Sequence, residues 1–143
     1  MRILVTGGTG FLGSHLVPRL AQEHELRVLA RSPSPIADVQ VVQGDILQPQ
    51  SLAAAMAGCH AVVHAAGVVS HRAEDAERVS VTNLRGTENV LAAAKEAGVR
   101  FFLHMSTSGT IAVSSSAKVH TEESSPATEL LSSVWTLALL LTA

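Results

Sequence analysis

The chain has 143 residues, a formal net charge of −2, 47% hydrophobic and 15% charged residues. That is too apolar for disorder, long enough for one domain with its own core, and free of the like-charge runs that point to nucleic acid or an anionic membrane surface. The one cysteine, Cys59, can form no internal disulfide; the N-terminus lacks a signal-peptide core and the longest apolar run is about half of a bilayer span, so a cytoplasmic protein with no membrane span is expected.

In chain order, "RILVT" at 2–6 is a β-branched-rich run closed by glycine, which predicts a buried strand. A helix follows from 11 to about 23, with Leu12, Leu16 and Leu20 on one stripe and Pro18 expected to kink it. "LRVLA" at 26–30 predicts a second strand, "SPSP" at 32–35 a turn, and "VQVV" at 39–42 a third strand. Pro49 and Gly58 bracket a short helix by the Pro-first, Gly-last asymmetry. "AVVHAA" at 61–66 predicts a fourth strand, 73–97 one long helix stopped by Gly98, and "RFFLHM" at 100–105 a fifth strand. A Ser/Thr-rich stretch and an apolar, leucine-rich tail complete the chain.

The strands are apolar rather than alternating, so both their faces are covered. With helices between them, the pattern predicts an α/β Rossmann-type doubly wound parallel sheet of about five strands, in the order 3-2-1-4-5. Residues 1–110 would be the core and 111–143 a loop and tail.

Between the first strand and first helix lie Gly7, Gly8, Gly10 and Gly13. Gly8, Gly10 and Gly13 fit G-x-G-x-x-G; Gly7, Gly10 and Gly13 equally fit T-G-x-x-G-x-x-G behind Thr6. Either spacing allows a tight turn and close approach of a pyrophosphate, with Gly13 letting the helix pack closely against the sheet. Phe11, Leu12 and Gly13 open the helix, whose free backbone N–H groups and positive end would face the phosphates. At the end of the second strand, a carboxylate would bind the ribose 2′-hydroxyl of NAD. Here stand Ala30 and Arg31, and a cation suits a 2′-phosphate, so NADP is favoured with NAD second. The alternative for Arg31 is a solvated surface arginine.

The segments "TGGTGFLGSHLV", "VVQGDILQ", "VVHAAG", "VTNLRGTENVLAAAKEAGV" and "FFLHMSTSGT" together resemble the short-chain dehydrogenase/reductase superfamily, in its extended NAD(P)-dependent epimerase/dehydratase branch. The resemblance implies that Asp45 and Ile46 flank the adenine. It implies that Ala65, Ala66 and Gly67 form a close-approach wall behind the adenosine ribose and phosphates, and that Asn83 orients the active-site hydrogen-bond network; the alternative is a helix-surface asparagine. It places the substrate-holding hydroxyl on Thr107, with Ser106 and Ser108 as neighbours in register. Such proteins move a hydride between nicotinamide and a carbon bearing oxygen, as nucleotide-sugar epimerases or dehydratases, or as reductases of ketones and steroids.

The same family uses a tyrosine as general acid or base and a lysine four residues on that lowers its pKa. This chain contains no tyrosine, and its last lysine is Lys118. The expectation is an inactive N-terminal fragment, truncated or frameshifted, whose substrate is unspecified and whose apolar tail favours self-association. The alternative is a non-catalytic dinucleotide-binding or interaction module. The seven histidines suggest no metal site: His60 and His64 lie four apart across a strand entrance, and Cys59 reads as a small buried residue.

Overall fold

The computed structural model describes residues 1–32, 36, 38–70 and 72–106. Five strands, β1 (Arg2–Thr6), β2 (Glu25–Ala30), β3 (Gln40–Gln43), β4 (Ala61–His64) and β5 (Phe101–His104), form one sheet in the order β3-β2-β1-β4-β5. Every pairing is parallel, with Val5 opposite Val28 and Val63, and Thr6 opposite His64. The helices are α1 (Phe11–Leu20), α2 (Pro49–Met56), α3 (Ala76–Ser80) and α4 (Gly86–Glu96).

Alternate strand residues feed two separate cores. Ile3, Val5, Leu26, Val28, Ala61 and Val63 pack with Val17 of α1 on one face. Leu4, Leu29 and Val62 pack with Leu52, Ala55 and Met56 of α2 and with Val90, Ala93 and Ala94 of α4 on the other. A sheet covered on both faces explains the continuous apolar strands. The expected five-stranded, doubly wound architecture is the one observed.

Helix boundaries differ in two places. Pro18 lies inside α1, which continues to Leu20, and residues 21–24 close it as a turn through His24 N–H donating to Leu20 O at 2.9 Å. The single helix expected over 73–97 is four pieces: a 3₁₀ turn (Ala73–Asp75), α3, a π-helical turn (Val81–Arg85) and α4. Gly58 and Gly98 end α2 and α4 in left-handed backbone, at φ +70° and +68°.

One contact ties a strand to a helix end without any local sequence signal. Arg27 on β2 donates from Nη1 to Ala55 O at 2.7 Å and Ala57 O at 3.1 Å, taking up carbonyls that the last turn of α2 leaves open. The Ser/Thr-rich stretch, the apolar tail and most of the 32–35 turn lie outside the described residues, as does any reading of 111–143 as a remnant.

Candidate functional site

At the carboxyl ends of β1, β2 and β4 the strand order reverses, and a cleft of about 220 Å³ opens there. Gly7, Gly10, Arg31, Asp45, Ile46, Ala65, Ala66 and Gly67 line it, together with Thr6, Thr9, Leu29, Ala30, Gly44, Val68 and Thr82. Segments far apart in sequence therefore meet at one place. The cleft is smaller than the ~300–1,000 Å³ of a closed ligand pocket, as suits an open crevice along which an extended ligand lies.

Each glycine of the loop answers a different demand. Gly7 sits at φ +73°, and a Cβ there would lie 2.6 Å from the backbone of Ala65 and Ala66, so only glycine lets the β1 and β4 loops touch. A Cβ on Gly13 would strike the backbone of Gly7 and Gly8; this glycine packs α1 on the loop itself rather than on the sheet. A Cβ on Gly10 would meet only Gly7 O, at 3.3 Å. The protein around Gly10 thus leaves room beside the cleft, a cradle that a side chain would fill.

Phe11 and Leu12 contribute no side chain to the lining: Phe11 is 87% exposed and Leu12 45% exposed. With Gly13 they form the first turn of α1, whose amides have no intrahelical acceptor. Gly10 is the N-cap and offers no side chain to those amides, and the turn holds no acidic residue. The helix end is therefore a positive, donor-rich edge suited to an anion.

The remaining predicted residues take different positions. Arg31 is exposed at the end of β2. Asp45 accepts from the Leu47 amide through Oδ1 at 2.9 Å, which fixes the loop after β3. Ile46 is 7% exposed, and its side chain fills the space where a Cβ on Gly86 would stand. Asn83 is not on the helix surface. It is 1% exposed and lies in the π-helical turn, outside the cleft lining. Its Nδ2 donates to Val68 O at 2.9 Å, and its Oδ1 accepts from Val68 N–H at 2.8 Å, clamping a residue of the cleft lining. Thr107 and Ser108 lie outside the described residues.

The sequence reading missed a polar network behind the wall. Thr87 donates its hydroxyl hydrogen to Asn83 O at 2.6 Å, so its oxygen accepts from His64 Nε2–H at 2.9 Å. The Thr6 hydroxyl then donates to His64 Nδ1 at 2.6 Å and accepts from Ala66 N–H at 3.3 Å. Burial, and secondarily the neighbouring His104, push the His64 pKa down to about 4, so the ring stays neutral near pH 7. Only the pairing of Thr6 with His64 across β1 and β4 exposes this network, and sequence spacing gives no sign of it. Cys59 is buried, and desolvation raises its pKa, in keeping with an inert packing residue. Among the described residues there is no group of three or more metal-ligating side chains, and no helix long and apolar enough to cross a membrane.

Comparison with known proteins places these features in a group. The model of the NAD dependent epimerase/dehydratase family matches residues 3–133. The human 3 beta-hydroxysteroid dehydrogenase type 7 is 38% identical over 116 residues, covering 72% of this chain and 31% of that protein. A 4-hydroxy-2-methyl-3-oxo-4-farnesyl-3,4-dihydroquinoline-1-oxide ketoreductase of Stigmatella aurantiaca is 40% identical, over 78% of this chain and 35% of its own length. Among solved structures, a short-chain dehydrogenase/reductase superfamily protein of Agrobacterium tumefaciens with bound NAD superposes with a TM-score of 0.69 at 34% identity, over 78% of this chain and 34% of that one. The UDP-glucose-4-epimerase of Stenotrophomonas maltophila, also with bound NAD, gives 0.74 at 26% identity, over 88% and 42%. This chain spans about a third of the length of the curated relatives it matches.

Proposed function

We propose, for a chain that belongs to the NAD-dependent epimerase/dehydratase family, that the cleft binds a nicotinamide dinucleotide along the glycine loop, with its diphosphate on the first turn of α1. The observation that carries this reading is the cradle at Gly10, open toward the cleft beside unused main-chain donors. Ala65, Ala66 and Gly67 bring backbone close without filling the crevice. Asp45 and Ile46 flank the adenine end, and Arg31 faces the adenosine ribose.

NADP is the favoured form. Support comes from Arg31 at the end of β2, where a guanidinium suits a 2′-phosphate and the last strand residue, Ala30, brings no carboxylate for a 2′-hydroxyl. The relatives' activities point to the nicotinamide as the group that would give or accept a hydride, with a small carbonyl or alcohol compound as substrate. Thr107 is the residue proposed to hold the substrate oxygen. The 143 residues supply no tyrosine to move the accompanying proton. We therefore infer that these 143 residues, taken by themselves, bind the dinucleotide without turning it over.

Titration of the full chain with NADPH and NADH, followed by nicotinamide fluorescence, tests the reading. NADPH is expected to bind more tightly, Arg31→Ser to erase that preference, and Gly10→Val to abolish binding while the fold persists. Undiminished binding by Gly10→Val overturns the assignment of the glycine loop. Consumption of NADPH with any of a panel of carbonyl compounds overturns the inactivity.

A further inference from the structure

We propose that His64 and Thr87 are positioning residues of the cleft: together with Thr6 they form a directed hydrogen-bond relay that sets the Ala66 amide, and with it the 65–67 wall, from the opposite end of the α4 contact. The assignment of a ligand to that wall rests on the dinucleotide reading above; the relay itself does not.

Neither His64 nor Thr87 lines the cleft. Both are joined to it by contacts of 2.6–3.3 Å whose donors and acceptors can be assigned at every step. Thr87 Oγ1 lies 2.6 Å from Asn83 O, which can only accept, so the hydroxyl hydrogen points there. The Thr87 oxygen is then the acceptor for His64 Nε2–H, at 2.9 Å. That choice leaves Nδ1 bare, so the Thr6 hydroxyl must donate to it, at 2.6 Å. The Thr6 oxygen, its hydrogen committed, turns a lone pair to Ala66 N–H at 3.3 Å. One carbonyl in the π-helical turn thereby dictates three successive polarities and the histidine tautomer, and the Ala66 amide, which can only donate, closes the relay on the Thr6 oxygen. His64 is 1% exposed and Thr6 is fully buried, so no water can take the place of a lost partner without cost. Ala66 is where the relay reaches the surface, beside the position at which Gly7 leaves no room for a Cβ.

A second route joins Thr87 to the same loop. Thr87 bonds Asn83 O, and the Asn83 side chain clamps Val68. The two routes end on different amides, Ala66 for the relay and Val68 for the clamp, and this separates them experimentally.

The test uses the full chain, uniformly labelled with nitrogen-15, in three forms: the parent, Thr87→Val and Thr87→Ser. In the parent, long-range proton–nitrogen spectra are expected to show His64 as the Nε2–H tautomer. Thr87→Val, which keeps shape and removes the hydroxyl, is expected to mix the tautomers and to speed exchange of the Ala66 amide about tenfold, the scale of one lost buried bond. Affinity for NADPH or NADH falls severalfold in the same variant, and Thr87→Ser restores all three readouts. An Nδ1–H tautomer in the parent overturns the relay, whatever the variants do. So does a Thr87→Val protein whose His64 signals and Ala66 exchange match the parent, or one in which Val68 exchange rises while Ala66 stays unmoved. If the parent binds neither NADH nor NADPH, the dinucleotide reading falls, and the tautomer and Ala66 exchange still decide the relay.

Discussion

The imidazole rings of His64 and His104 stack 5.3 Å apart and 30° from parallel, on adjacent positions of β4 and β5. Neither site welcomes charge: burial lowers the pKa of both, and a proton on one opposes a proton on the other. For His64 the folded value is about 4 against 6.5 for the ordinary group. Between those limits the unfolded chain binds a proton that the folded chain refuses. Stability is therefore full above pH ~6.5 and declines as the pH falls toward ~4, by on the order of 3 kcal/mol from His64 alone. Urea denaturation at stepped pH measures this slope. His64→Asn is expected to be less stable at pH 7 but to lose less between pH 7 and 4 than the parent does. Equal slopes in the two proteins would place the acid sensitivity elsewhere.

Asn83 spends both ends of its amide on one residue, donating to Val68 O and accepting from Val68 N–H. Asn83→Asp keeps the acceptor and replaces the donor with an oxygen facing Val68 O. Two oxygens then meet in a buried site, and a loss of about 2–4 kcal/mol is expected. Asn83→Leu leaves both Val68 groups unpaired and is expected to fall in the same range. Chemical denaturation gives the stability change, and amide exchange at Val68 shows whether the loop is released. A variant of full stability with a protected Val68 amide would mean that the clamp contributes nothing.

The fold was legible because its signals are local. Apolar strands, Gly58 and Gly98 at helix ends, and the Gly7–Gly13 spacing each state their role within a few residues, and the β3-β2-β1-β4-β5 order follows from right-handed crossovers. Gly10 and Arg31, which line the cleft, stand in local motifs at strand ends, whereas Asp45 and Ala65 were reached only through the family resemblance. What sequence periodicity could not show is the break in the 73–97 helix. A helical stripe from Val79 through Asn83 to Thr87 looks continuous, yet Asn83 takes its partners from a loop 15 residues back, and a π-helical turn accommodates that reach. The same blindness hid His64, whose partners lie 58 residues before it and 23 after it. The role proposed for Thr107 falls outside the described residues.

Arg27 illustrates a charge whose value lies in hydrogen bonding rather than in an ion pair. Its guanidinium reaches Gln40 Oε1 at 2.9 Å through Nε and the carbonyls ending α2 through Nη1. Arg27→Met keeps the apolar stem and removes the donors, so the change isolates the cap. A loss of roughly 1–2 kcal/mol is expected, a partly exposed charged bond being worth less than a buried one. Amide exchange should rise around residues 57–59 and leave α1 unchanged. Arg27→Lys, a point charge with no fork, is expected to recover only part of the loss.

Gly86 offers a test in which helix propensity and packing have opposite signs. In an open helix interior, glycine to alanine stabilises by about 1 kcal/mol. Here a Cβ would stand 2.5 Å from Ile46 Cδ1 and 2.9 Å from Ile46 Cγ1, and Ile46 is itself buried between α4 and the cleft. The overlap is expected to cost about 1–3 kcal/mol, enough to make Gly86→Ala destabilising on balance. Ile46→Val removes the Cδ1 atom that causes the worst overlap. The double variant Gly86→Ala/Ile46→Val should therefore be more stable than the sum of its single changes, by a coupling measurable in thermal or urea denaturation. Strict additivity would mean that Ile46 already has room to turn aside. In that case the wall of the cleft beneath the proposed adenine position is looser than the packing of Ile46 indicates.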